Sequence, residues 1–144
     1  MILYLDTSSL VKLYADEEGS EKVRELDRRA SAATTSWITF AEARSTFARK
    51  RREREFTEDE YRIVVEEFEG DWGRYAALEV SPDLLRSAGD LAEKHGLRAL
   101  DAIHLASALS IIRQQGPPID LIFSSLDKRL VAAAEAEGID CAPD

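Results

Sequence analysis

The chain is poor in the residues that make covalent or metal staples: among its 144 residues there are one cysteine and two histidines. Cys141 alone permits neither an internal disulfide nor a cysteine-based zinc cluster, which suits a reducing cytoplasm. Long apolar runs are missing as well. No uninterrupted stretch of ~18 apolar residues is present to span a bilayer, and Asp6 breaks the first hydrophobic run, which no basic segment precedes. The reading is a cytoplasmic protein with no membrane partner. Positive charge is in deficit: the net value of −9 argues against a broad nucleic-acid coat, because phosphate binding depends on clustered Lys and Arg releasing counterions. Internal repeats, low-complexity stretches and linkers are absent. Residues 1–144 therefore read as one domain, long enough to bury roughly 70% of its unfolded surface.

What is present is an alternation of short apolar strands and amphipathic helices. Strands are expected at Ile2–Leu5, Ala32–Thr35, Leu78–Val80, Leu121–Ser124 and Ile139–Ala142. Helices are expected at Ser8–Ala15, Ser20–Arg29, Phe40–Glu53 and from the capping box Thr57–Glu60 to the Gly70–Gly73 region. Three more run from Ser81-Pro82 to Gly96, from Asp101 to Gln114, and from Asp127 to Glu137. This order predicts an α/β fold with right-handed crossovers and a mostly parallel sheet covered on both faces.

In such a sheet ligands bind beyond the carboxyl ends of the strands. Asp6 closes the first strand, Glu42 follows the second by a short loop, and Ser125 and Asp127 follow the fourth; Asp120 precedes its strand and belongs at the opposite rim. Asp101 has no strand directly before it, so only helix packing can bring it to the rim. Crowded carboxylates repel unless a cation neutralises them. An all-oxygen site suits Mg²⁺, with Mn²⁺ as a substitute, and such an ion can drive phosphodiester hydrolysis by activating water. Each acid also has a plain structural reading: Glu42 completes a Thr39-x-x-Glu42 capping box, Asp101 favours a helix dipole, and Asp127 is an N-cap. Asp6 differs, because a charge ending an apolar strand lies close to the core. His104 reads as a helix-packing residue, His95 as a helix-end residue, and Trp37 and Trp72 as packing aromatics.

A compact basic segment contains Arg44, Arg49, Lys50, Arg51, Arg52 and Arg54. It reads either as a solvated helix end or as a phosphate-steering rim of Arg44, Arg49, Arg51 and Arg52; Arg44 could reach the groove or pair with Glu42.

Taken together, Asp6–Tyr14, Phe40-Ala41-Glu42, Leu100–Ala106 and Ser124–Asp127 resemble the PIN-domain family, in particular VapC-type toxin ribonucleases. The resemblance spans nearly the whole chain and implies a three-layer PIN-like fold with a five-stranded sheet of order 3-2-1-4-5. It implies Asp6 and Asp101 as metal ligands, Glu42 and Asp127 as completing the catalytic acids, and Ser8 and Ser125 as supporting hydroxyls, with serine at 125 where threonine is more usual. It also implies an RNA substrate, a homodimer and a cognate antitoxin. Two alternatives stay open: a flavodoxin-like metal- or phosphoryl-binding signalling module, and a degenerate family member that only binds a partner. A receiver-type module would want an acidic pair ending strand one and a lysine after the late strand, whereas Thr7 and Ser8 follow Asp6 and Lys128 lies inside a helix.

Overall fold

The structure, a computed structural model, describes all 144 residues. Five parallel strands are ordered β3-β2-β1-β4-β5: β1 Ile2–Leu5, β2 Ala32–Ser36, β3 Ala76–Leu78, β4 Leu121–Ser124 and β5 Asp140–Cys141. The helices are α1 Thr7–Val11, α2 Ser20–Arg29, α3 Ile38–Arg52, α4 Glu58–Asp71, α5 Pro82–His95, α6 Ala99–Gln115 and α7 Lys128–Ala136. The expected sheet order and element order are found. None of the helices is long and apolar enough to cross a membrane.

β1 lies at the centre because both its faces are apolar, as a strand covered on two sides requires. Leu3 and Leu5 enter one core with α1, α3 and α4, while Tyr4 enters the other with α5, α6 and α7. Strand pairing runs from β1 to β2 on one side, with Tyr4 beside Thr34, and to β4 on the other, with Leu5 beside Ser124. The crossovers diverge at this point, so the carboxyl end of β1 opens onto the switch-point crevice. α6 is apolar all round and buried, with Ala102, Leu105, Ala106 and Ala108 essentially sealed from solvent. His104, one turn into the helix, meets Tyr4 of β1 at 2.9 Å and so ties the start of α6 to the central strand.

Several boundaries differ from expectation: α6 starts at Ala99 rather than Asp101, β5 is shortened to Asp140–Cys141, and three others have a visible cause. β3 is Ala76–Leu78 rather than Leu78–Val80, because Tyr75 ends the short 3₁₀ turn Trp72–Arg74 and pairing with β2 begins at once, Ala76 opposite Thr34. α1 stops at Val11, where Lys12 turns inward. α3 begins at Ile38 because Ser36 Oγ accepts the Ile38 amide at 3.3 Å, leaving Thr39 inside the first turn. No Thr39–Glu42 capping box forms. Thr39 instead turns to the core and bonds Thr35 at 2.8 Å.

After α1, two buried lysines meet carboxylates at the surface. Glu17 joins Lys12 at 3.2 Å to Lys50 at 2.9 Å, and Lys50 also reaches Glu55 at 3.1 Å. Burial alone would raise the Glu17 carboxyl, but the two lysines outweigh it and hold it below the usual carboxylate range. Glu17→Gln should cost about 2 kcal/mol, less than the 3–5 of a fully buried pair because Glu17 is partly solvated. A depressed acid contributes stability above its unfolded pKa and loses it as pH falls through the folded value. Urea unfolding should therefore separate the variant from the parent near neutrality and bring them together in acid.

Candidate active site

Asp6 follows β1 directly, and its backbone amide donates to Ser124 of β4 at 3.1 Å, which fixes it between two strands. The residue is 4% exposed. Oδ1 accepts from Ser8 Oγ at 2.7 Å and from the Ser9 amide at 2.9 Å, and Oδ2 accepts from Ser125 Oγ at 2.5 Å. Burial pushes the Asp6 carboxyl above its ordinary value, and His104, Ser125, Ser8 and the Ser9 amide offset only part of that rise. Its bonded partners are hydroxyls and one amide, with no cation among them.

Ser125 carries the network onward by accepting the Asp127 amide at 3.0 Å, and Ser8 accepts the Leu126 amide at 3.0 Å. These two hydroxyls therefore tie the β4–α7 loop to Asp6. Asp127 is the N-cap of α7: Oδ1 accepts the amides of Arg129 and Leu130 at 2.9 and 3.1 Å. Its Oδ2 is left for other work and lies 3.6 Å from Arg98. The cap thus occupies one oxygen of Asp127 and leaves the other outside it. Asp101, in the first turn of α6, meets the same Arg98 at 3.4 Å. Arg98, Asp101, Asp127, Lys128 and Arg129 line a cleft of about 540 Å³.

Glu42 sits in the second turn of α3 and anchors a second part of the rim. Oε1 accepts from Thr7 Oγ1 at 2.6 Å and lies 3.0 Å from His104 Nε2. His104 Nδ1 is 2.9 Å from the Tyr4 hydroxyl. With the phenol donating to Nδ1, the hydrogen-bond network puts the proton that faces Glu42 on Nε2. Burial pushes the Tyr4 phenol well above its usual value, which keeps it a donor. Burial would also raise Glu42, but the bonds from His104 and Thr7 win and hold it below the usual carboxylate range.

Helix packing therefore describes only part of what His104 does. It is 2% exposed and orients Glu42 through a Tyr4–His104–Glu42 chain, together with Thr7. A signal for these partners lay in the sequence: hydroxyl residues crowd the carboxyl ends of three strands, at Thr7-Ser8-Ser9, Thr35-Ser36 and Ser124-Ser125.

The four acids do not pack into a cage. No three carboxylate, imidazole or thiol groups converge closely enough to hold an ion by themselves. This corrects the expectation of a tight cluster. The donor set still fits a hard, hydrated cation, which takes one or two carboxylates and completes its sphere with water and substrate oxygen. Asp120 lies at the far rim, 3.6 Å from the N-terminal amine.

The basic segment faces elsewhere. Arg44 does not pair with Glu42; it is ion-paired to Glu69 of α4. Arg49 meets Glu53 at 3.9 Å, Arg51 meets Glu58 at 3.9 Å and covers the Tyr61 ring at 4.2 Å, and Lys50 points inward to Glu17. Arg52 has no carboxylate partner. His95 ends α5 but also meets Glu137 at 2.9 Å, and Trp37, half exposed, leans edge-on against buried Trp72.

The model of the PIN domain matches residues 3–136. This chain belongs to the PIN-domain family. Ribonucleases VapC45 and VapC49 of Mycobacterium tuberculosis are each 34% identical to it over 142 residues, covering 99% of this chain and 95% of theirs. The resemblance to VapC ribonucleases is therefore borne out over nearly the whole chain. In fold, the FitAcB crystal structure from Neisseria gonorrhoeae superimposes with a TM-score of 0.69 at 21% identity, covering 99% of this chain and 97% of that one. A toxin-antitoxin complex from Klebsiella pneumoniae gives 0.62 at 17% identity, with 90% of each chain covered.

Proposed function

We propose that this PIN-domain protein is a Mg²⁺-dependent endoribonuclease, the toxin of a toxin-antitoxin pair, with Mn²⁺ able to substitute. One observation carries the reading: a buried carboxylate, Asp6, stands at the switch point of the sheet with no cationic partner bonded to it and an elevated proton affinity. An unpaired buried charge is costly, and a bound cation would offset that cost. The similarity to VapC ribonucleases over 99% of the chain supports RNA as the substrate.

Asp6 and Asp101 would hold the ion, and Glu42 and Asp127 complete the acidic rim. The bound ion supplies Lewis acidity for water-driven hydrolysis of the phosphodiester. Ser8 and Ser125 hold both oxygens of Asp6 in place, and His104 with Thr7 aims Glu42. Arg44, Arg49, Arg51 and Arg52 enter only as an outer steering surface for RNA, since three of them are already balanced by Glu69, Glu53 and Glu58.

An antitoxin would occupy the same rim. Leu100 and Leu126, each next to a rim acid, are 46% and 51% exposed and offer it apolar contacts. The working form is taken as a cytoplasmic homodimer. The phosphoryl-acceptor alternative has less support, because Asp6 is the only acid directly after β1 and is enclosed by Ser8, Ser9 and Ser125.

Asp101→Asn tests the proposal. It preserves shape while removing one ligand charge, so cleavage of RNA should fall by more than about 100-fold, beyond the 10–100-fold typical of residues that only support a ligand. Mn²⁺ binding should weaken in parallel. Full cleavage by a purified, folded variant would discard the site.

A further inference from the structure

Arg98 has a place in this site that motif matching did not assign. It precedes α6 as its N-cap residue yet makes no side-chain cap bond, so its guanidinium is not needed to start the helix. Instead, Nε reaches Asp101 Oδ2 at 3.4 Å and an Nη nitrogen reaches Asp127 Oδ2 at 3.6 Å. One planar fork thus spans two acids from different helices.

The two oxygens it touches are the ones left over. Asp127 Oδ1 is committed to the α7 amides, and Asp101 has no protein partner besides Arg98. A cation drawn to this rim meets Arg98 on the same atoms. The side chain is 82% exposed and both contacts are long, so the bridge is of the weak surface class and is easily exchanged. The backbone that carries Arg98 is firm by comparison. Arg129 Nη1 donates to the Gly96 carbonyl at 3.4 Å, and Glu137 takes Lys94 and His95 at 2.7 and 2.9 Å, binding the end of α5 to α7.

The remaining walls of the cleft are Lys128 and Arg129, both exposed and neither paired with a carboxylate. Three cations therefore face about 540 Å³ of open space beside the acids, in a chain whose net charge is −9. That concentration is not needed to neutralise Asp101 and Asp127, for which Arg98 alone makes the contacts. A phosphodiester anion fits the surplus, since guanidinium and ammonium groups bind phosphate oxygens by paired and single charge-assisted bonds.

We propose that Arg98 is a displaceable counter-ion that neutralises Asp101 and Asp127 before the divalent ion binds and then, released from them, holds an RNA phosphate in the cleft with Lys128 and Arg129. This inference rests on the nuclease reading above and deepens it. Arg98 is a positioning and substrate-binding group whose two tasks are exclusive in time. Metal uptake and RNA binding are consequently linked through one side chain: whatever removes Arg98 from the acids makes it available to RNA.

The test uses binding, not turnover. Mn²⁺ affinity is measured on the full-length protein without RNA, from the electron paramagnetic resonance signal of the free ion. Arg98→Ala should bind Mn²⁺ about 2- to 5-fold more tightly, the scale of a lost surface bridge. Lys128→Gln removes a charge from the same cleft without breaking the bridge and should tighten binding less. Equal tightening by the two variants would reduce Arg98 to a general field and overturn the counter-ion role. Binding of a short phosphorothioate RNA, which resists hydrolysis, is then followed in Mn²⁺ at several salt concentrations. Arg98→Ala should weaken it and lower the slope of log affinity against log salt by about 0.7, one phosphate contact on a single strand. An unchanged slope would overturn the phosphate role. If the parent protein binds no Mn²⁺, the nuclease reading falls and this inference with it; parent binding with unchanged affinity in Arg98→Ala sinks the inference alone.

Discussion

Asp6→Asn should reduce RNA cleavage by more than about 100-fold without lowering the thermal stability of the metal-free protein. The activity loss follows from removing a charged ligand, where even the outer partners of such ligands are worth about 10–100-fold. The stability half is more diagnostic. Ser8 and the Ser9 amide donate to Oδ1, an oxygen that asparagine retains, while its new amide can donate to Ser125 in place of the bond that Oδ2 accepted. The substitution deletes a buried charge whose proton affinity burial has already raised. In EDTA the midpoint of unfolding should stay level or rise by about 2–4 °C, the shift of ~1 kcal/mol in a chain of this size. Adding Mg²⁺ should raise the midpoint of the parent and leave that of the variant in place, because only a state that binds the ion gains from it. A variant that unfolds several degrees earlier in EDTA would show that the carboxylate serves the fold rather than the site.

Phe68→Ala should cost about 3–5 kcal/mol, the range for emptying a buried aromatic site. Phe68 is fully buried and its ring meets Tyr14 and Phe40 at 5.5 Å, Phe47 at 5.6 Å and Trp72 at 5.5 Å. Four aromatic neighbours around one ring leave a cavity that cannot close by small shifts. Such a loss takes up much of the ~5–15 kcal/mol that holds a typical domain together. The ring also locks α4 onto α3, the helix that carries Glu42. Equilibrium unfolding in urea measures the effect, and cleavage should fall with the fraction unfolded while activity per folded molecule changes little. A loss under about 1 kcal/mol would mean that the α3–α4 pair repacks freely and that the position of Glu42 is set elsewhere.

Local signals were good guides to local facts. The run Ile2–Leu5 announced a strand buried on both faces, and Thr57–Glu60 announced the capping box that the structure contains. Ser81-Pro82 likewise starts α5, with Ser81 Oγ accepting the Leu84 amide at 3.1 Å. Where two local signals compete, neighbours settle the matter. Thr39-x-x-Glu42 has the pattern of a capping box, but β2 extends to Ser36 and α3 follows so soon that Thr39 is already helical. β3 was displaced by two residues because Ala76 pairs with Thr34 of β2 directly after Tyr75 turns into the core, which no property of their own sequence announces.

The site divides in the same way. Asp6, Glu42 and Asp127 were legible because each lies soon after a strand, and topology places strand ends on one rim. Partners that depend on packing were not: His104 meets Glu42 across 62 positions, and Tyr4 meets His104 across 100. Arg98 meets Asp127 only because folding lays the start of α7 beside the start of α6. The basic end of α3 misled in the opposite direction, since a charge run shows its sign but not the acids of α4 that face it.

The order of strands and helices, the two-sided core and the choice of candidate acids come from the sequence alone, because periodicity, capping and turn residues act over a few neighbours. Which oxygen of each acid is already occupied, which cation stands beside it, and how the acids are spaced along the rim belong to the tertiary structure. Hydrogen bonds and charges act over a few ångströms, and only folding brings Ser125 to Asp6 and Arg98 to Asp127.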